Sequence, residues 1–369
     1  MHISVYSYYF SRVLTIMEYI LAFGMAASFA YLLTPPTIFF AKHIGLITDS
    51  KLRKHPAHTH IGLIPRGGGL PLFLAFIITS LIFVSLNKLY IGIIVASTLT
   101  IIVGLLDDYY DISPYFRFGI NLLISAIVIG FGLGIPFVSN PFGGVIRLDT
   151  WRITFNLFGG THSILPLADL IALIWLTWIT NMINWSKGVD GQMPGFVAIA
   201  AIFLGLLSQR FIAHDVSTTN VMLFAVIISG VFVGFLPFNF FPQQIMPGYG
   251  GGALAGFWLG VLSILSFGKI GTFILVLAVP LIDAFYTLVR RIKRGVSPFK
   301  ADRGHLHHRL MELGWGKRRI AVFYWLITAL LGFASLFLNS MEKLIAFCLI
   351  ALLLAIFFIV VDKQKRSLV

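Results

Sequence analysis

The sequence predicts an all-α polytopic membrane protein, on three observations. Of 369 residues, 58% are hydrophobic and 11% are charged, whereas a soluble domain would carry roughly a quarter charged residues. Apolar runs near bilayer length, about 20 residues, recur along the whole chain. Lysine and arginine fall unevenly on the segments between those runs. Helices suit such a composition because, in lipid, a helix satisfies its own backbone hydrogen bonds.

About eleven transmembrane helices are predicted, near 13–34, 70–87, 89–106, 118–138, 168–184, 194–209, 220–238, 252–267, 270–290, 320–338 and 342–361. The first reads as a retained helix rather than a cleaved signal peptide. The eighth is short and glycine-rich. Between the fourth and fifth, segment 142–166 breaks the pattern. Val145-Ile146-Arg147-Leu148-Asp149 and Trp151-Arg152-Ile153-Thr154-Phe155 alternate in polarity about a turn, which predicts a small extracytoplasmic β-hairpin. The sequence has no fixed-period repeat and no soluble stretch of domain size, so 1–369 reads as a single integral-membrane domain. The single cysteine, Cys348, excludes an intrachain disulfide.

Seven of the 27 basic residues (Arg12, Lys88, Arg147, Arg152, Arg210, Lys269 and Lys343) fall on one face, and the rest fall on the other. The positive-inside rule makes the richer face cytoplasmic. The N-terminus and the hairpin are then outside and the C-terminus inside. Topology and anionic membrane lipid account for most of the net charge of +13, with phosphate-bearing substrates at the same face as the remainder. No nucleic acid is needed.

Every distinctive polar cluster falls on that cytoplasmic side. Asp107 and Asp108 sit side by side at the end of an apolar run, with Asp111 close behind, in a chain of only 14 acidic residues. Two adjacent carboxylates beside hydrocarbon repel each other and are costly, which points to a cation at the site. Helix capping is a poor explanation, because anions do not suit a helix C-terminus. Asn181 and Asn184 share a helix face and read either as interhelical glue or as ligand contacts. Gly67-Gly68-Gly69 and Gly250-Gly251-Gly252 read as tight packing or as backbone N–H groups open to phosphate. The loop 291–319 is basic and His-rich: Arg303, His305, His307, His308 and Arg309 suit phosphate contact better than metal ligation, since the arginines oppose a metal and bind phosphate well.

Taken in order, Pro65-Arg66-Gly67-Gly68-Gly69, Asp107-Asp108, Asn181-x-x-Asn184, Gly188-Val189-Asp190-Gly191, Phe238-Asn239 and Ala301-Asp302-Arg303-Gly304-His305-Leu306-His307-His308-Arg309 resemble the polyprenyl-phosphate N-acetylhexosamine-1-phosphate transferases. The set spans about 35–315 and looks closer to the N-acetylglucosamine branch than to the muramoyl-pentapeptide branch. The resemblance implies a phosphoglycosyltransferase in the plasma membrane of a bacterial-type cell, with its site on the cytoplasmic face. It would move a sugar 1-phosphate from a UDP-sugar to polyprenyl phosphate and release UMP. It implies magnesium, with manganese an acceptable substitute, held by Asp107, Asp108 and Asp190, which are also the expected catalytic residues. Arg66, Asn181, Asn184, Lys187, Asn239, Tyr249, Arg303, His305, His307 and His308 are the expected substrate contacts. UDP-sugar, polyprenyl phosphate and membrane lipid are the implied partners, and the resemblance leaves room for a homodimer.

The chain departs from the family pattern at two positions. Lys187 stands where the family has the first Asp of Asp-Gly-x-Asp-Gly, and Tyr249 where it has the Asp of Gly-Asp-x-Gly-Ser. Neither suits magnesium, and both are expected at the diphosphate instead. A relative that binds nucleotide-sugar or polyprenyl phosphate without turnover is the alternative function. A transporter is disfavoured, because the polar groups gather at one membrane face and no paired broken helices are evident.

Overall fold

A computed structural model describes residues 2–49, 62–157, 160–209, 218–266, 270–298 and 302–367. The basic stretch 51–56 and Ala301 of the histidine motif lie outside the described residues. The helices are α1 (His2–His43), α2 (Gly69–Phe83), α3 (Lys88–Tyr110), α4 (Pro114–Gly130), α5 (Pro166–Trp185), α6 (Gln192–Ser208), α7 (Thr218–Asn239), α8 (Gly248–Leu265), α9 (Ile270–Val276), α10 (Ala278–Lys293), α11 (Leu306–Glu312), α12 (Lys317–Ser335) and α13 (Ser340–Ser367).

Among the described residues, seven helices are long and apolar enough to cross a membrane: α1, α3, α5, α7, α8, α12 and α13. An eighth span is added if α9 and α10 count as one. The apolar helices α2, α4 and α6 are shorter, at 15, 17 and 17 residues. All eleven predicted runs therefore fall on helices, but the helices of crossing length number seven to eight. The predicted straight span 270–290 is also two helices, bent by 84°. Pro280 accounts for the break: it has no N–H to give the carbonyl of Val276, and its ring crowds that turn.

Helix ends are set by local chemistry. The Asn87 side chain accepts from the Tyr90 N–H at 2.8 Å and starts α3. Asp111 takes the left-handed conformation (φ 57°) and returns its N–H to the Asp107 carbonyl, ending α3. Ser113 caps α4 through the Phe116 N–H at 3.3 Å, with Pro114 in the first turn, where proline's missing N–H costs nothing. This tight corner brings the first turn of α4 against the last turn of α3.

Helix α8 runs through the centre of the bundle and packs on α2, α3, α5 and α6. Its Trp258 is fully buried, stacks on Phe76 at 4.3 Å and donates its indole N–H to Ser97 at 2.9 Å. Glycines allow the close approach. A Cβ on Gly104 would lie 2.2 Å from the Gly250 Cα, and one on Gly69 would lie 2.6 Å from the Gly251 nitrogen. The outer helices turn apolar side chains outward, as Phe337 and Leu353 illustrate at 72% and 67% exposure. That is the surface expected of lipid-facing helices.

The predicted hairpin is corrected. Strand β1 (Ile47–Asp49) pairs antiparallel with β2 (Leu63–Pro65). In the 142–166 region there are two pairs: β3 (Phe137–Ser139) with β4 (Val145–Arg147), and β5 (Ile153–Leu157) with β6 (Gly160–Ile164). Val145–Arg147 thus pairs backward rather than with Ile153. The turn between β3 and β4 holds Gly143 and Gly144 at positive φ, 121° and 73°, and closes through Asn140. This glycine turn defines a hairpin before the alternating stretch begins.

Candidate active site at the helix ends

The C-terminal end of α3 meets the N-terminal end of α8 and the loop between α5 and α6. Asp107 and Asp108 are both buried. Arg117, one turn into α4, donates to both oxygens of Asp107 at 3.0 Å. Asp108 accepts the Tyr249 backbone N–H at 2.9 Å through Oδ1, an anion at a helix N-terminus. Its Oδ2 is buried and has no hydrogen-bond partner. The carboxylate fills the space a side chain at Gly248 would need, with Oδ2 1.9 Å from where a Cβ would stand. Arg66 reaches Thr48, the Asp108 carbonyl at 3.3 Å and the Asp111 carboxylate at 3.7 Å.

Lys187 lies in the same place. Its side chain passes over Gly252, and its ammonium donates to the Gly248 carbonyl at 2.9 Å. Burial pulls its pKa down to about 8, and Arg117 and Arg66 push the same way, while Asp108 and Asp107 partly restore it. Asn184 is buried beside it with Oδ1 unpartnered. Asn181 turns elsewhere: it donates to the Thr177 carbonyl at 2.7 Å and accepts from Asn121 at 3.3 Å. The Tyr249 hydroxyl is bonded to Asn121, and its ring lies 5.0 Å under the Arg117 guanidinium.

Asp190 belongs to a second cluster, three residues along the same loop. Its carboxylate accepts from Lys317 at 3.1 and 3.2 Å and from the Gln243 side chain at 3.1 Å. Asn239 accepts the Gly191 N–H at 3.1 Å and donates to Gln243 and the Ile245 carbonyl. Trp325 of α12 donates to the Gly191 and Gln192 carbonyls. These bonds latch the start of α6 to α7 and α12.

The histidine loop folds back on α10. Asp283, 1% exposed, holds the His305 ring at 3.0 Å and accepts the Leu306 N–H at 2.7 Å. Asp302 is clamped by Arg290 at 2.8 Å and Arg291 at 3.2 Å. Burial alone would raise its pKa, but the hydrogen bonds from Arg291 and the Gly304 N–H, with both arginine charges, bring it down to about 2. Arg309 is buried, bonded to the Gly304 and Phe358 carbonyls at 3.1 Å, with Phe358 under its guanidinium. Arg303 is exposed. His307 and His308 are buried, with their rings tilted against each other at 4.2 Å between centroids. Burial and the neighbouring histidines hold His307 well below the usual imidazole range, and burial with His305 and Arg303 brings His308 to about 4. At neutral pH both rings are uncharged.

The expected magnesium draws on Asp107, Asp108 and Asp190. The arrangement does not assemble that set: Asp107 is held by Arg117, Asp190 by Lys317, and an ammonium lies beside Asp108. Among the described residues, no three His, Cys, Asp or Glu side chains gather as a metal site. Sequence reasoning missed Arg117, Asn121, Gln243, Asp283 and Lys317. Only Asp283 carried a signal of its own, as an acid inside an apolar helix.

Fold and site together define a multi-pass membrane protein with a buried acid–base cluster at its helix ends. The profile of glycosyl transferase family 4 matches residues 90–267, which supports the resemblance to the polyprenyl-phosphate N-acetylhexosamine-1-phosphate transferases. A probable undecaprenyl-phosphate N-acetylglucosaminyl 1-phosphate transferase of Bacillus subtilis is 27% identical, over 87% of this chain and 85% of its own length. A decaprenyl-phosphate N-acetylglucosaminephosphotransferase of Mycobacterium tuberculosis is 27% identical over 86% and 82%. An undecaprenyl-phosphate alpha-N-acetylglucosaminyl 1-phosphate transferase of Escherichia coli is 25% identical over 91% and 89%.

Proposed function

We propose that this protein transfers N-acetylglucosamine 1-phosphate from a UDP-sugar to polyprenyl phosphate in cell-wall or surface-glycan synthesis, at the cytoplasmic face of an eleven-crossing bundle. The observation that carries this reading is the cluster of Lys187, Arg117, Asp108 and Asn184 at the first turn of α8. It offers cations for phosphate and unpartnered oxygens for hydroxyl or amide donors. An oxygen of the acceptor phosphate attacks the sugar-side phosphorus of the diphosphate. The bond from that phosphorus to the bridging oxygen breaks, and UMP leaves with the bond's electron pair. Lys187 and Arg117 offset the charge that builds on the phosphoryl oxygens. The free Asp108 oxygen is the group available to take a proton from the acceptor phosphate.

An apolar cavity of about 130 Å³ supports the lipid half of the reading. Phe40, Ala41, Ile44, Leu70, Leu105 and Tyr109 line it, together with Arg66. Arg66 also bonds the Asp108 carbonyl, so a prenyl chain in this cavity would bring its phosphate toward the carboxylates.

The test incubates purified protein with UDP-N-acetylglucosamine and polyprenyl phosphate and follows UMP and the lipid product by mass spectrometry. Formation of both supports the transferase. A second reading, a relative that binds without turnover, draws on the arginine grip on Asp107 and the lysine grip on Asp190. Binding of the UDP-sugar with no UMP release would establish that reading instead.

A further inference from the structure

Three carboxylates and three cations face one another where α3 ends. Arg117 holds both oxygens of Asp107 at 3.0 Å, and Arg66 reaches Asp111 at 3.7 Å. Lys187 lies along the first turn of α8, with its stem over Gly252 and its ammonium on the Gly248 carbonyl at 2.9 Å. The Asp108 carboxylate fills the space where a Cβ on Gly248 would stand. Asp107, Asp108 and Asp111 are thus balanced by Arg66, Arg117 and Lys187, all of them groups of the chain itself. With an acid in place of Lys187, the same set would carry two surplus negative charges.

We propose that this site takes the diphosphate of a nucleoside-diphosphate sugar without a divalent cation, with the Lys187 ammonium supplying the charge that a metal would bring. The inference rests on the proposed transferase reading. Lysine binds phosphate as a compact point charge, and its presence beside Asp108 opposes entry of a second cation. Most of the oxygens a hard metal would need are engaged elsewhere, leaving one Asp108 oxygen: Asp107 is held by Arg117, Asp190 by Lys317 and the Tyr249 hydroxyl by Asn121. Two buried acceptors, Asp108 Oδ2 and Asn184 Oδ1, flank the lysine without partners. They suit the hydroxyl and amide N–H donors of an acetamido sugar, which a bare phosphate lacks. One pocket can then hold the anionic diphosphate on its cations and the sugar on its free oxygens.

The experiment titrates UDP-N-acetylglucosamine into the purified full chain by calorimetry, once in EDTA and once in millimolar magnesium. The expected result is an affinity equal in the two conditions to within about threefold. Lys187→Asp should weaken binding in EDTA by about tenfold or more and regain it with magnesium. Lys187→Met, which adds no charge, should weaken binding alike in both conditions and guards against a misfolded aspartate variant. Wild-type binding about tenfold or more tighter in magnesium, or both variants binding as the wild type does, would overturn this inference and leave the transferase reading standing. No binding in either condition would overturn both together.

Discussion

Asp108 spends one carboxylate oxygen on a backbone N–H and keeps the other free, while Asp107 spends both on Arg117. The two adjacent acids should therefore respond differently to the same change. Asp108→Asn keeps the volume and the bond to the Tyr249 N–H but loses the charge. UMP release should fall by about 10²- to 10⁴-fold, the range for losing a positioned acid–base group, with little change in thermal stability. Asp107→Asn breaks an ion pair and leaves Arg117 short of a counter-charge, so the unfolding temperature should fall along with turnover. Equal thermal losses in the two variants would refute this division of roles. The buried histidines give a second test at this scale. His308 has its pKa near 4 in the fold, against 6.5 for an ordinary imidazole. As pH falls below about 6.5 the unfolded chain takes the proton first, so stability drops until about pH 4, by up to about 3 kcal/mol. His307 is shifted the same way. Melting curves in detergent across that range should show the slope, and His308→Phe should flatten it; an unchanged slope would assign the acid sensitivity elsewhere. Asp107, Asp108, Asn184 and Lys187 were legible in the sequence because carboxylates, amides and an ammonium at an apolar boundary need an explanation. Arg117 and Lys317 were not, since each was one more basic residue on the richer face until folding set it against an aspartate.

At the scale of elements, the glycine runs had two sequence readings, and contact geometry favours packing. Gly104 crosses Gly250, Gly69 abuts Gly251, and a Cβ on Gly256 would lie 2.6 Å from the Thr180 Cα. Gly104→Ala should force α3 and α8 apart, at a cost of about 1–3 kcal/mol, as overpacking does. Gly119→Ala, where nothing lies within 4 Å, is the control and should leave the melting temperature unmoved. If Gly104→Ala melts with the wild type, the helices are not held at this crossing. Apolar periodicity found the helices because bilayer burial dictates long hydrophobic runs. It missed the bend at Pro280 because one proline inside such a run leaves hydropathy unchanged. It mispaired the strands because polarity alternation marks a strand without naming its partner, which the glycines of the 140–144 turn decide.

For the whole molecule, the positive-inside argument and the helix order make one claim together: the strand pairs between α4 and α5 and the loop between α10 and α12 lie on opposite sides of the membrane. Both segments carry suitable exposed side chains, Phe142 at 83% exposure and Arg303. Cys348 is exposed and must first be replaced by serine so that an introduced thiol is the only one. Phe142→Cys should then react with an impermeant maleimide in right-side-out vesicles and stay unlabelled in inverted ones. Arg303→Cys should show the reverse. The parity is demanding, because the segments from α5 to α10 include α6, a 17-residue helix, and the bent pair α9 and α10. If either crosses differently from the eleven-span reading, both cysteines label from the same side. That result would put the strand pairs on the face that holds the basic loop. The positive-inside assignment would then need another explanation for the excess of lysine and arginine around the Asp108 site.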